Sequence, residues 1–180
     1  MSGRTLVACV GNVLHRDDGF GVAVANRLAE SRGLPADVDL IETGIGGMGI
    51  VQQLLDGYEA LIVVDAVERG AAPGTLFLLE PEVPDPASLP ADEARALFSN
   101  LHLAEPSRVF LLARALGALP PRVFLIGCQP QDCEALGETL SAPVAAAVEA
   151  AAQRVCELAA SLVATDPSGT RSRRTPELSP

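Results

Sequence analysis

The sequence predicts an α/β fold: a twisted, mixed but largely parallel five-stranded sheet with helices on both faces, in a three-layer sandwich. The first observation is that short apolar runs alternate with longer helix-like runs along most of the chain. The second is the continuous apolar run at 60–64, Ala-Leu-Ile-Val-Val, which is typical of a strand buried on both faces. The third is a composition of 48% hydrophobic but only 3% aromatic residues, which requires an aliphatic core.

The first half of the chain is expected to contain three strands and two helices, separated by turn residues. Apolar residues at 5–10 predict the first strand, and the Ala- and Val-rich Phe20–Ser31 segment predicts the first helix. The remaining elements of this half are a short strand at Val38–Glu42, a glycine-rich turn at 44–49, a helix at 50–55 and the strand at 60–64.

The second half begins with a short connection, which predicts a change of strand direction. Only about nine residues, 66–74, precede the next apolar run at 75–79, whereas a parallel crossover needs a dozen or more. The strand at 75–79 should therefore run antiparallel to its predecessor. Beyond a proline-rich loop, the expected elements are a short helix at 92–98, a helix from 103 or 106 to 116, a strand at 123–126, a polar loop at 127–137 and a long helix at Ala142–Ala164.

Length, charge and cysteine content set the broad class of protein. Residues 1–165 suffice for one domain, and the Ser-, Pro- and Arg-rich residues 166–180 are expected to be disordered. A net charge of −10 argues against nucleic acid or an anionic membrane as the partner. No signal peptide and no apolar run of about 20 residues is found. The four cysteines lack a Cys-x-x-Cys spacing, so we expect reduced thiols in a cytoplasmic protein and no zinc site.

The turn between the first strand and the first helix carries two adjacent carboxylates, Asp17 and Asp18. Acidic residues are favoured at a helix N-terminus, and one of the two could simply cap the helix. A cap needs a single Asp, however, and this turn also carries three glycines at the carboxyl end of a buried strand. Open α/β sheets bind their ligands at that edge, so the turn is a candidate functional site.

Three polar residues, Asp18, Asp65 and His102, follow strands or open a helix where they could meet at this edge. Two carboxylates and one imidazole suit a borderline divalent metal such as nickel or zinc, with coordination positions left open. Taken singly, each residue has a simpler interpretation, as a cap, a strand-end carboxylate and a surface histidine. His15, the other histidine, is a weaker candidate because its side chain could face solvent.

A competing motif lies at Gly44-x-Gly46-x-x-Gly49, which fits the dinucleotide fingerprint and precedes Asp65 by roughly 20 residues. The strand before it carries Asp39 and Glu42, which is unusual for a buried central strand, and the helix after it is short. We therefore do not expect NAD binding.

Six motifs in order resemble the [NiFe]-hydrogenase maturation proteases, over about residues 5–160. They are Gly11-Asn12-x-Leu14-x-x-Asp17-Asp18-Gly19-x-Gly21, Thr43-Gly44 to Gly47, Val64-Asp65-Ala66 with Pro73-Gly74-Thr75, Ser99-x-x-His102, Gly127-x-Gln129-Pro130, and Leu140-Ser141-x-Pro143-Val144. The resemblance implies a twisted mixed sheet between helices. It also implies an enzyme that removes a short C-terminal peptide from the precursor of the hydrogenase large subunit once nickel has been inserted.

The resemblance assigns roles to particular residues. The family's metal-contacting acids fall on Asp18 and Asp65 and its histidine on His102, although many members carry Glu at the position of Asp18. These residues are expected to recognise nickel in the substrate, and hydrolysis is expected to need no metal of the enzyme's own. The family is grouped with aspartic-type peptidases. From the residues themselves, the backbone of Gly44, Gly46 and Gly47 is expected either to handle the peptide or simply to form a tight strand-to-helix turn, and Gln129 is expected at the same edge.

Three interpretations of function stay open at this stage. In the first, Asp17, Asp18 or Asp65 acts as a general base on water while the partner's nickel polarises the scissile carbonyl. In the second, the chain is a nickel-checking binding module without peptidase activity. In the third, which has the least support, it is a small dinucleotide-binding domain.

Overall fold

The computed structural model describes residues 3–88 and 106–164. Its strands are β1 (Thr5–Cys9), β2 (Val38–Glu42), β3 (Ala60–Ala66), β4 (Leu76–Leu79) and β5 (Arg122–Cys128). Its α-helices are α1 (Phe20–Ser31), α2 (Gly47–Leu54), α3 (Pro106–Ala115) and α4 (Ala142–Ala164). Short 3-10 helices occupy Arg16–Gly19 and Pro86–Ser88. The expected helix at 92–98, His102 and the expected disorder of 166–180 lie outside the described residues.

The sheet is mixed, as predicted, with five strands in the order β2-β1-β3-β5-β4. β1 pairs parallel with β2 and β3, and β3 pairs parallel with β5. β4 pairs antiparallel with β5, so it also runs opposite to β3, and the predicted direction is confirmed. Its neighbour in the sheet is β5 rather than β3, because the connection after β3 crosses the carboxyl end of β5 and is bonded to it: the Val67 N–H donates to the Cys128 carbonyl at 2.8 Å.

Two hydrophobic layers form because alternate strand residues point to opposite faces. On one face α1 and α4 pack against a layer that includes Val7, Ile62 and Val64, all fully buried. On the other face α2 and α3 pack against a layer that includes Leu6, Leu61 and Val63. β1 and β3 are covered on both faces, in agreement with their largely apolar sequences, and the predicted three-layer arrangement is confirmed.

The carboxyl ends of β1 and β3 form the topological switch point of the sheet. From β1 the strand order proceeds to β2 on one side, whereas β3 leads to β5 on the other. In open α/β sheets ligands bind in the crevice at such a point. Helix α1 approaches these strand ends closely at Gly21, where a Cβ would lie 2.0 Å from the Val10 carbonyl oxygen and 2.7 Å from that of Val64.

Two further expectations concern the whole chain. All four cysteines are free thiols, in agreement with the prediction from their spacing. Among the helices of residues 3–88 and 106–164, none has the length and apolar character needed to cross a membrane.

Candidate active site

The turn that follows β1 closes on itself and holds Asp18 at the switch point. The Asn12 N–H donates to the Asp18 carbonyl at 3.1 Å, and a Cβ on Gly11 would lie 2.1 Å from the same oxygen. Glycine is therefore required where the chain leaves β1. The Asp18 carboxyl is half-buried, and burial raises its pKa even though the Asn12 backbone acts in the opposite direction.

Asp65 lies in β3, next to β1, and is buried with only 6% of its surface exposed. Its Oδ1 accepts one hydrogen bond, from the Ala66 N–H at 2.8 Å. Burial, and then the charge of Asp18, raise the pKa of Asp65 to about 8. The structure thus brings two of the predicted acids together, and near neutral pH Asp65 can hold a proton or release one.

An open cleft of about 500 Å³ adjoins this pair of acids. Its lining joins the turn after β1, the connection after β3 and the loop after β5 through Asp18, Ala66, Glu68, Pro130, Gln131, Asp132, Cys133 and Glu134. The cleft is rich in carboxylates, so its electrostatic field favours a cation.

Asp17, the other acid of the turn, is fully buried and is a structural anchor. Its Oδ1 accepts from the Ser141 N–H at 2.6 Å, and its Oδ2 accepts from the Ser141 hydroxyl and from the N–H groups of Gln131 and Asp132 at 2.8–3.1 Å. Burial alone would raise its pKa, but these donors outweigh it and hold the pKa below the usual value. Its oxygens are occupied, so its geometry does not fit the general-base role considered above.

Gln129 also proves to be a positioning residue, since only 3% of its surface is exposed. Its Oε1 accepts from the N–H groups of Arg69 and Ala71 at 2.7 and 3.2 Å, and its Nε2 donates to Glu68 Oε1 at 2.6 Å. These contacts hold the connection after β3 in place and fix the position of the Glu68 carboxylate. The structure therefore gives Gln129 no free polar atom for the substrate contact expected from the sequence.

The glycine-rich turn lies beside the acidic turn. The Gly11 N–H donates to the Gly44 carbonyl at 3.0 Å, and α2 begins at Gly47. Gly44 has a φ of +54° and open space around the position of a Cβ, so another chain can approach its backbone. The turn follows β2, which is an edge strand, whereas dinucleotide-binding turns follow a central strand. The position of the glycine motif in the sheet therefore does not fit NAD binding.

Cys133 and Ser141 were not singled out as site residues from the sequence. The Cys133 thiol is half-buried in the cleft, and burial together with the surrounding carboxylates raises its pKa to about 12. It stays protonated at neutral pH and is not an activated nucleophile. Ser141 could have been found from its position just before α4, where a hydroxyl residue is typical of a helix start.

The histidines complete the account of the predicted ligands. His102 lies outside the described residues, and within residues 3–88 and 106–164 there is no group of three side chains that could hold a metal. His15 forms an isolated backbone bridge with Gly137, which joins the turn after β1 to the loop after β5.

Comparison with protein families decides the class of protein. Residues 22–158 match the HycI family model, which is described as hydrogenase maturation protease. The chain belongs to the hydrogenase maturation protease family. It is therefore a peptidase, and the resemblance noted in its motifs is confirmed. Asp65 and Ser141 lie inside the matched range, whereas Asp17 and Asp18 precede it.

Relatives and solved structures of this family agree over most of the chain. The hydrogenase expression/formation protein HupD of Rhodobacter capsulatus is 40% identical over 87% of this chain and 72% of its own length. The hydrogenase 2 maturation protease of Escherichia coli is 31% identical over 81% of this chain and 87% of its own length.

Among solved structures, the E. coli hydrogenase maturating endopeptidase HybD has a TM-score of 0.66 at 29% identity, and the match covers 84% of this chain and 89% of HybD. The hydrogenase 2 maturation peptidase of Thaumarchaeota archaeon SCGC_AB-539-E09 has a TM-score of 0.62 at 36% identity, over 86% of this chain and 97% of the other. The maturation protease fold is thus shared across this chain's described core.

Proposed function

We propose that this maturation protease removes a short C-terminal peptide from the nickel-loaded large-subunit precursor of a [NiFe]-hydrogenase. The observation that carries the proposal is the pair of carboxyl groups, Asp18 and Asp65, beside an acidic cleft at the switch point of the sheet. The four free cysteines accord with a cytoplasmic reaction, where thiols stay reduced.

Nickel enters this proposal as part of the substrate. Asp18 and Asp65 supply carboxylate oxygens and His102 supplies an imidazole, a donor set that suits nickel. Such contacts would add to the coordination of an ion that the precursor already holds, would leave one position for the scissile carbonyl, and would leave one oxygen of Asp65 for proton transfer. The cleft would therefore favour a precursor that carries nickel over one that does not.

The hydrolytic step fits an aspartic-type mechanism with Asp65 as the proton-transfer group. When ionised, Asp65 takes a proton from water as the water oxygen attacks the scissile carbonyl carbon. The nickel of the precursor polarises that carbonyl, and Asp65 then returns the proton to the leaving amine as the C–N bond breaks. In the protein alone its pKa is raised to about 8, towards the neutral range in which a carboxyl group can both accept and return a proton.

The test is to mix the enzyme with nickel-loaded precursor from the same organism and to measure the intact mass of the precursor. The proposal expects loss of a short C-terminal peptide with nickel and no loss without it. Asp18→Asn and Asp65→Asn should abolish cleavage. Glu30→Gln, which removes an exposed carboxylate near the end of α1 and outside the cleft, should cleave at close to the wild-type rate.

Each alternative has its own outcome in this experiment. Precursor that binds tightly but stays uncut would favour the nickel-checking binding module. Full activity in Asp18→Asn and Asp65→Asn would contradict the proposed mechanism. Cleavage that does not depend on nickel would contradict the role proposed for the nickel of the precursor.

A further inference from the structure

Four large apolar side chains are exposed around the carboxyl edge of the sheet, beside the acidic cleft. They are Val13, Leu14, Ile45 and Leu136, with exposed fractions of 45%, 54%, 61% and 81%. We refer to these four residues as the apolar rim. Val13 and Leu14 belong to the turn after β1, Ile45 belongs to the glycine-rich turn, and Leu136 belongs to the loop after β5.

Backbone hydrogen bonds join the three loops that carry the apolar rim. The Gly137 N–H donates to the Leu14 carbonyl at 2.9 Å, and the Arg16 N–H donates to the Gly137 carbonyl at 2.7 Å. On the other side, the Gly11 N–H donates to the Gly44 carbonyl at 3.0 Å. The rim is therefore one connected border of the active site.

The apolar rim contributes nothing to the two core layers among the described residues. Exposed leucine and isoleucine side chains add to the affinity of an interface when a partner buries them. Clustered exposure of this kind, bordered by polar groups, is typical of an interaction site. Here the border is the carboxylate-lined cleft that holds Asp18, Glu68 and Asp132.

We propose that the apolar rim is the docking surface for the large-subunit precursor, an inference that rests on the proposed function. A precursor segment bound at Asp18 lies beside the rim, because the rim residues flank that turn in the chain and across its hydrogen bonds. The fitting partner surface is apolar at its border and positively charged at its centre, where it faces the carboxylates of the cleft. The rim supplies affinity, whereas the acids supply the chemistry.

The experiment compares two double variants, each of which replaces two exposed leucines with serine. Leu14→Ser with Leu136→Ser removes two rim side chains. Leu55→Ser with Leu116→Ser removes side chains that are 62% and 54% exposed beyond the ends of α2 and α3, at the opposite edge of the sheet. Serine adds no charge, so the comparison isolates the loss of apolar contact. The measurements are Kd for nickel-loaded precursor, KM and kcat for cleavage, and Tm.

The rim variant should raise Kd and KM at least about ten-fold, because it forfeits the burial of two leucines. Its kcat at saturating precursor and its Tm should stay within about two-fold and about 2 °C of wild type, respectively. The control variant should match wild type in every measurement.

Several results would overturn this proposal. Unchanged Kd in the rim variant, or an equal loss in the control variant, would show that the rim has no special affinity. A fall in kcat with unchanged Kd would show that the rim acts on the site instead. Concentration-dependent dimers of the wild type that dissociate in the rim variant would assign the rim to a second copy of this chain. Wild-type enzyme that leaves the precursor uncut would instead contradict the proposed function.

Discussion

Three aspartates of this site show how surroundings decide what one side chain can do. Asp17 is buried among donors and has a lowered pKa, whereas Asp65 is buried with a single donor among the described residues and has a raised pKa. Asp18 is next to Asp17 in the chain but faces the cleft. The anchor stays ionised and holds loops together, whereas Asp65 can exchange a proton near neutral pH.

Asp65 should make the stability of the protein depend on pH. Its pKa is about 8 in the folded state and about 3.9 when unfolded, so the folded state binds the proton more tightly. The stabilisation by this proton is complete below about pH 4 and is lost as pH rises through about 8. Asp65→Asn lacks this titration. The Tm of the variant minus that of wild type should therefore increase by more than about 2 °C between pH 5 and pH 8.5.

The control for this prediction is Glu134→Gln, an exposed carboxylate whose removal should give a Tm difference that hardly changes with pH. Thermal unfolding followed by circular dichroism in buffers of matched ionic strength measures both. A Tm difference for Asp65→Asn that is constant from pH 5 to pH 8.5 would contradict the raised pKa of Asp65.

Asp17→Asn should destabilise the fold by about 3 kcal/mol, although it changes few atoms. The new amide would direct its own N–H groups at backbone donors of residues 131 and 132, and donors cannot bond donors. Ser141→Ala removes one hydroxyl donor and leaves the backbone N–H bond intact, so it should cost only about 1 kcal/mol. Urea unfolding measures both variants. Losses below about 0.5 kcal/mol in each would show that Asp17 is not the anchor of these loops.

The sequence could predict the meeting of Asp18 and Asp65, because parallel strands bring their carboxyl ends to one edge. It could not predict the role of Asp17, since its partners lie 114–124 residues away in the chain. Gln129 was predicted to contact the substrate for the same reason. The backbone N–H groups that donate to its side chain lie about 60 residues earlier in the chain. Side-chain partners across such distances depend on loop conformations that local pattern does not encode.

At the scale of elements, strand positions followed closely from apolar runs and turn residues, whereas one strand's neighbour did not. The predicted strand at 75–79 is observed at Leu76–Leu79 and runs in the predicted direction. The pairing of β4 with β5 depends on the connection after β3. Gln129, the residue directly after β5, accepts hydrogen bonds from that connection. Connection length limits the direction of a strand, but it does not select which strand is its neighbour.

Helix α1 needs glycine at position 21 to reach the strand ends. In Gly21→Ala the new methyl group would lie 2.0 Å from the Val10 carbonyl oxygen, a backbone atom that cannot move without disturbing β1. We expect a loss of about 3 kcal/mol in the free energy of unfolding, and a shift of the acidic turn that lowers cleavage.

Gly33→Ala is the matched control for this prediction. The nearest neighbours of its new methyl group are side-chain atoms of Cys156 and Ser31 at 3.2 and 3.5 Å, which can move aside. Its free energy of unfolding should stay within about 0.5 kcal/mol of wild type. Equal stability of the two variants in urea unfolding would show that α1 can move away from β1 without cost.

In the molecule as a whole, the amino edge of the sheet, where the parallel strands begin, and the carboxyl edge, where they end, have different roles. At the amino edge, Arg4 donates to Asp39 at 2.6 Å and lies over the Tyr58 ring at 4.7 Å, which joins the start of β1 to β2. The carboxyl edge instead gathers the acids, the glycine-rich turn and the apolar rim. Substitutions at the amino edge should therefore act through stability alone, whereas substitutions of exposed residues at the carboxyl edge should act through the precursor.

The family match ends well before residue 180, so the last residues should be dispensable. Among the residues that the structure describes, the last core side chain is Leu162 and α4 ends at Ala164, and the family model matches only to residue 158. A chain that stops at residue 165 should keep its Tm within about 2 °C and cleave the precursor at the wild-type rate.

The control truncation stops at residue 150 and removes Ala151, Val155 and Ala159, which are fully buried against the sheet. It should not fold, because one face of the sheet would lose half of its helical cover. Thermal unfolding and intact-mass cleavage assays compare the two truncated chains with wild type. If the chain that stops at 165 keeps its Tm but loses cleavage, the segment containing Arg171, Arg173 and Arg174 contributes to precursor binding, and the site extends beyond the carboxyl edge.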